Sequence, residues 1–139
     1  MPEGIFFGFD FGFKRIGVAV GQKLTGSASP LTCIGAKNGM PNWEHIQKYI
    51  TQWQPEALVV GLPTAINDSE LYTTSAARGF ARQLRKKFDL PVFLVDERLS
   101  TVEARSYLFE KGGYRKIKKT EVDSIAACII LEQWLQHNL

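Results

Sequence analysis

Apolar and polar positions along the chain fall into two rhythms. Ile5 to Phe11 is nearly all apolar, broken only by Gly8 and Asp10, and Ile16 to Val20 repeats the run after a turn at Gly12–Arg15. Runs bounded by glycine and charge predict two strands joined as a hairpin, and a third strand is expected over Leu31 to Gly35. At Asn42 the rhythm changes. Trp43, Ile46, Ile50 and Trp53 recur at helical spacing, so Asn42 caps a helix that packs on the sheet. Ala57 to Val60 and Val92 to Val95 are short unbroken apolar runs, the pattern of strands covered on both faces. Between them, Ala77, Phe80, Ala81, Leu84 and Phe88 form a helical stripe. Ser100 and Glu103 make a capping box for a helix running to about Glu110, which Gly112 and Gly113 stop. Thr120 opens a last helix that turns Ile125, Ile129 and Leu135 inward.

Three strands joined by short turns are most simply antiparallel, and strands separated by helices are most simply parallel. The order therefore predicts an α/β fold: a mixed five-stranded sheet with helices on both faces. Composition adds a size limit. With 139 residues, 45% of them hydrophobic and nine of them phenylalanine, one well-packed core is expected, and hence one domain over residues 1–139. No run approaches the roughly 20 apolar residues of a membrane helix, and the start MPEG has neither the basic region nor the apolar core of a signal peptide. A soluble, cytoplasmic protein is expected, with no membrane partner. Cys33 and Cys128 lie far apart, without a CxxC pair or companion histidines, so both read as small core residues.

A net charge of +3 leans only weakly toward polyanions, but its distribution is uneven. Arg82, Arg85, Lys86 and Lys87 sit together in ARQLRKKF, and Lys111, Arg115, Lys116, Lys118 and Lys119 put five cations into the nine residues of KGGYRKIKK. Either cluster can be a solvated surface. The second, a loop with glycines and Tyr114, also has what contact with a phosphate backbone requires: cations to displace counterions and a ring to stack on a base.

The acids change the picture more. Asp10 lies near the end of the first strand, Asp96 and Glu97 close the last strand in VDERLST, and Asp123 lies in the first turn of the last helix in KTEVDSIAA. Each has an ordinary alternative: Asp10 can order the turn before Gly12, Glu97 can pair with Arg98, and Asp123 can complete a capping box with Thr120. Together they fall at the ends of elements, where ligands and catalytic groups collect in α/β sheets. Clustered carboxylates raise one another's pKa unless a cation neutralises them, and hard oxygen donors without histidine or cysteine favour Mg²⁺ or Mn²⁺.

The stretches FDFGFKRIGVAVGQ, GLP at Gly61–Pro63, DERLSTVEAR, the glycine pair and VDSIAACIILEQWL occur in this order over nearly the whole chain. Together they resemble the YqgF family, also called RuvX, described as Holliday junction resolvases, with members linked to maturation of the 5′ end of 16S ribosomal RNA. The resemblance implies a ribonuclease H-like fold, in agreement with the element order, and a cytoplasmic bacterial nuclease. Its partners would be pre-rRNA or branched DNA, including ribosomal precursor particles. By motif, Asp10 matches the strand-one aspartate, Glu97 the glutamate of DER and Asp123 the aspartate of the final helix, which makes these three the implied catalytic and metal-binding residues. Two departures stand out. Related nucleases usually carry an acid after the fourth strand, where this chain has GLP, so Glu97 must reach across from the neighbouring strand; and Asp68 is displaced from its usual position in AINDSE.

The expected chemistry is hydrolysis of a phosphodiester bond assisted by Mg²⁺ or Mn²⁺, one metal activating water and a second, about 3.5–4 Å away, stabilising the leaving oxygen. Nucleic acid is expected to contact Lys14, Arg15, Arg98, Thr101, Arg115, Lys116, Lys118 and Lys119. Gly8, Gly12 and Gly17 would let a backbone approach closely, or serve as turn and packing positions. Two other classes compete. DFGFKRIG is also similar to the phosphate loop of the actin, hexokinase and chaperone ATPases, which need a second such domain that this length does not supply. A non-catalytic RNA-binding factor in ribosome assembly would keep the basic loop without needing three acids.

Overall fold

The structure is a computed structural model that describes residues 4–62, 72–96 and 119–137. Its hairpin forms where the apolar runs predict it: β1 (Ile5–Asp10) pairs antiparallel with β2 (Arg15–Gln22), and β2 with β3 (Ser27–Lys37). Both β2 and β3 extend beyond the apolar segments, because a hairpin ladder continues through polar residues as long as the backbone groups find partners. A two-residue strand, β4 (Met40–Pro41), then pairs with the end of β3. Asn42 caps α1 (Trp43–Trp53), its side-chain oxygen accepting the His45 N–H at 3.3 Å. β5 (Ala57–Leu62), α2 (Tyr72–Phe88), β6 (Val92–Asp96) and α3 (Lys119–His137) complete the described elements. None of the described helices is long and apolar enough to cross a membrane.

The sheet order is β4-β3-β2-β1-β5-β6, with β1, β5 and β6 parallel. The expected five strands are therefore six, the addition being β4, too short for any periodicity to announce. Alternation along β1 divides the core in two. Ile5, Phe7 and Phe9 face α1 and α2, meeting Ile46, Ile50, Phe80 and Leu84, while Phe6 faces α3 with Val59, Ala127, Leu131 and Leu135. Helices thus cover both faces, as expected.

Two expectations are corrected. Val92 to Val95 is not covered on both faces: β6 ends the described sheet, and Phe93 and Leu94 keep 41% and 43% of their surface exposed. An unbroken apolar run reads the same for an edge strand as for a central one, since only long-range pairing separates them. Cys33 is half-buried rather than a core residue, while Cys128 is buried and its thiol is pushed up to about 12, first by burial and then by the neighbouring Glu132 carboxylate. The helix expected between Ser100 and Glu110 lies outside the described residues.

Candidate active site

Asp10 is the last residue of β1 and is half-buried. Its Cα neighbours across the sheet are Gly17 on β2 and Gly61 on β5. Laterally paired residues turn their side chains to the same face, so the Asp10 carboxylate is flanked on both sides by positions without side chains. This flanking is a consequence of register: a one-residue slip of β2 or β5 would set Ile16, Val18, Val60 or Leu62 beside the carboxylate instead.

The face on which Asp10 lies is the one α3 covers. Gly8 precedes Asp10 by two residues on that face, and a Cβ built there would meet the Leu131 Cβ at 2.7 Å and the Ala127 carbonyl oxygen at 2.9 Å. Glycine is present because the helix backbone occupies the volume of a side chain. The structure thus assigns Gly8 to packing rather than to nucleic-acid approach. Further along, Leu131 and Leu135 lie over Gly21, and the Trp134 ring sits 5.2 Å from that of Phe6. As α3 advances, its contacts move from Gly8 back toward Phe6, so the helix runs antiparallel to β1. Its first turn consequently lies at the Asp10 end. From Ala127 back to Asp123 is about 6 Å of helix, and from Gly8 on to Asp10 about 6.6 Å of strand. The helix backbone at Asp123 and the strand end at Asp10 are thereby brought to one end of one face.

Two polar contacts fix this docking. The buried Ser124 hydroxyl donates to the Thr32 carbonyl at 3.1 Å, one residue from Cys33, which pairs with Gly17 and so continues the Asp10 row. Glu132 Oε2 accepts the Ala28 N–H at 2.9 Å. Ser124→Ala is expected to lower stability by about 1 kcal/mol, since it removes one partly buried hydrogen bond next to the site. Chemical denaturation measures it.

Of the residues expected at the site, the exposed Lys14 lies in the β1–β2 turn and the half-buried Arg15 begins β2, both at the same end. Backbone bonds from Ala36 N–H to the Lys14 carbonyl and from Gly39 N–H to the Phe13 carbonyl, both 2.9 Å, tie this turn to the β3–β4 connection. Asp96 ends β6 and pairs with Leu62, which puts it on the α2 face, opposite to Asp10. Lys119 is the first residue of α3. Glu97, Arg98, Ser100, Thr101, Arg115, Lys116 and Lys118 lie outside the described residues. The basic cluster of ARQLRKKF divides: Arg82 and Arg85 border β6, whereas the Lys87 ammonium lies 4.9 Å over the Trp43 ring.

The sequence reading missed Gly17 and Gly61 as the flanks of Asp10. It also missed an aromatic pair at this end, Phe13 and Tyr72, whose rings stack at 5.5 Å and 16°. They are 59 positions apart, and no local pattern signals the contact.

Comparison with known proteins places this geometry. A protein of Legionella pneumophila strain Paris, provisionally named pre-16S rRNA nuclease, is 75% identical over 138 residues, 99% of each chain. A Haemophilus ducreyi protein with the same provisional name is 52% identical over 130 residues, 94% of each chain. Among solved structures, the fold is similar to that of Thermus thermophilus RuvC bound to a Holliday junction substrate (TM-score 0.58, 18% identity, 97% of this chain and 95% of that one). It is also similar to the fowlpox virus Holliday junction resolvase (TM-score 0.56, 13% identity, 97% and 99%). These two likenesses establish the ribonuclease H-like fold. The family model for RuvX, Holliday junction resolvase, matches residues 4–137, and the chain belongs to that family.

Proposed function

We propose that this chain is a metal-dependent nuclease that hydrolyses phosphodiester bonds, in maturation of the 5′ end of pre-16S rRNA or in resolution of Holliday junctions. The observation that carries the reading is the docking of α3 antiparallel on β1, with the backbone at Asp123 beside the end of β1 and the Asp10 carboxylate between two glycines. The provisional names of the relatives, at 75% and 52% identity over nearly full length, point to RNA; the fold neighbours point to junction DNA.

Asp10, Glu97 and Asp123 are proposed as metal ligands. Among the described residues, strand alternation puts Asp96 on the face away from Asp10, so Asp96 is not proposed as a ligand and the acid implied next to it is Glu97. The donor set is all carboxylate oxygen, which fits Mg²⁺ or Mn²⁺. Bound there, such a cation would supply charge to the phosphate and lower the pKa of water. The protein's part is to hold Asp10 on a buried strand and Asp123 on a packed helix. Lys14 and Arg15 would take phosphate oxygens at the same end, and Arg98, Thr101, Arg115, Lys116, Lys118 and Lys119 would contact the nucleic-acid backbone.

Cleavage of labelled precursor rRNA and of a labelled four-way junction, side by side with Mg²⁺, Mn²⁺ or chelator, tests the reading. Cleavage of either that chelator stops supports it. Tight binding of both with no cleavage under any metal would favour the non-catalytic RNA-binding alternative.

The basic loop yields a separate expectation. Changing Arg115, Lys116, Lys118 and Lys119 together to alanine should weaken binding and flatten the slope of log affinity against log salt by roughly 0.7–0.9 for each phosphate no longer neutralised. Cleavage at saturating substrate should survive better than affinity does, because uniform binding acts chiefly on KM. Titrations at several salt concentrations measure both. An unchanged slope would make KGGYRKIKK a solvated loop.

A further inference from the structure

We propose that Tyr72 is a stacking platform for an unpaired nucleobase at the Asp10 end of the sheet, on its α2 face, so that the substrate is single-stranded or locally unpaired where it meets the protein. The inference rests on the nuclease reading and adds a subsite to it. Tyr72 is the first residue of α2 and keeps 82% of its surface exposed, although its ring lies flat against Phe13 at 5.5 Å and 16°. One face lies against Phe13, and among the described residues no second ring stacks on it. A ring recruited only to pin the start of α2 would bury its surface, since burial is what stabilises such a contact; this one buries little.

What lies behind it is rigid. Phe13 packs edge-on against Phe11 at 5.6 Å, and Phe11 is buried and lies 5.4 Å from Phe80 in the core. From the other side, Gly39, at φ +83, brings the β3–β4 turn so close that a Cβ there would meet Phe13 Cδ1 at 3.1 Å and Phe11 Cζ at 3.3 Å. A platform that does not move loses little entropy when a base settles on it. Next to Phe13 is the exposed Lys14, placed for the phosphate of a base stacked on Tyr72. A ring and a cation side by side are the components by which proteins hold single strands without reading sequence. Paired bases in a duplex show their edges in the grooves, not their faces, so the same ring has little to offer a continuous duplex.

The test uses three oligonucleotide probes carrying 2-aminopurine: single-stranded RNA, single-stranded DNA and a fully paired DNA duplex, titrated in chelator so that no cleavage occurs. The expected result is quenching of both single-stranded probes on binding to the wild type. In Tyr72→Ala the quenching is lost and affinity for the single strands falls roughly 5- to 150-fold, with duplex affinity within about twofold. Tyr72→Phe keeps quenching and affinity. Tyr72→Leu, which retains apolar bulk for the helix start, loses them as Ala does, and thermal unfolding of all three shows whether the fold is kept. If Tyr72→Ala and Tyr72→Leu bind and quench single strands as the wild type does, or lose duplex affinity equally, the subsite is overturned and the nuclease reading stands. If the wild type binds none of the probes, both fall. A response from RNA alone would assign the platform to an RNA substrate, and from DNA alone to bases unpaired at the centre of a junction.

Discussion

Asp10→Asn is expected to abolish metal-dependent cleavage while the protein keeps its fold. The substitution exchanges a charged ligand oxygen for a neutral amide of the same shape, at a position flanked by Gly17 and Gly61 where no side chain has to repack. Loss of an outer-shell partner of a metal ligand typically costs 10- to 100-fold, so loss of a ligand itself should cost more than roughly a hundredfold. Single-turnover cleavage alongside thermal unfolding measures it. Cleavage at the wild-type rate would remove Asp10 from the site and return it to ordering the turn before Gly12.

The second large effect is expected far from any charged group, at Gly8→Val. The first carbon of the new side chain would already lie 2.7 Å from the Leu131 Cβ and 2.9 Å from the Ala127 carbonyl oxygen. Neither is the free end of a flexible side chain, so the helix has to lift or β1 has to bend, and the two further methyl groups of valine enlarge the displacement. Overpacking of this kind usually costs about 1–3 kcal/mol, and a clash with helix backbone belongs at the upper end. The same displacement moves the first turn of α3 away from Asp10. Cleavage per folded molecule should therefore fall as well, although neither acid has been touched. A stability loss with full activity in the folded fraction would show that Asp10 does not depend on the seating of α3.

Local pattern was enough for much of the fold. Asn42 capped its helix, the Ala77–Phe88 stripe was buried as its spacing predicted, and three antiparallel strands led into parallel ones. What local pattern could not carry was pairing. β4 is two residues long, the exposure of β6 depends on its being last in the sheet, and the half-burial of Cys33 depends on which strands lie beside β3. The site divides the same way. Asp10 stood out in the sequence as a carboxylate near the end of an apolar strand, and it does end β1. Gly17 and Gly61 as its flanks were not, because register across three strands is a long-range property. Gly8 was noticed in sequence, but whether it made room for a nucleic acid or for a helix was decided only by α3. Phe13 and Tyr72 meet through tertiary structure alone.

The central claim is that Asp10 and Asp123, from β1 and α3, serve the same divalent cation. Calorimetric titration of Mn²⁺ into the wild type, Asp10→Asn, Asp123→Asn and the double variant tests it most directly, because it needs neither substrate nor cleavage. The expected result is that each single substitution removes the strong binding phase and that the double variant is no worse than either one, the non-additivity of two groups acting on one ion. Wild-type Mn²⁺ affinity in either single variant, or independent losses that add in the double, would contradict a shared ion.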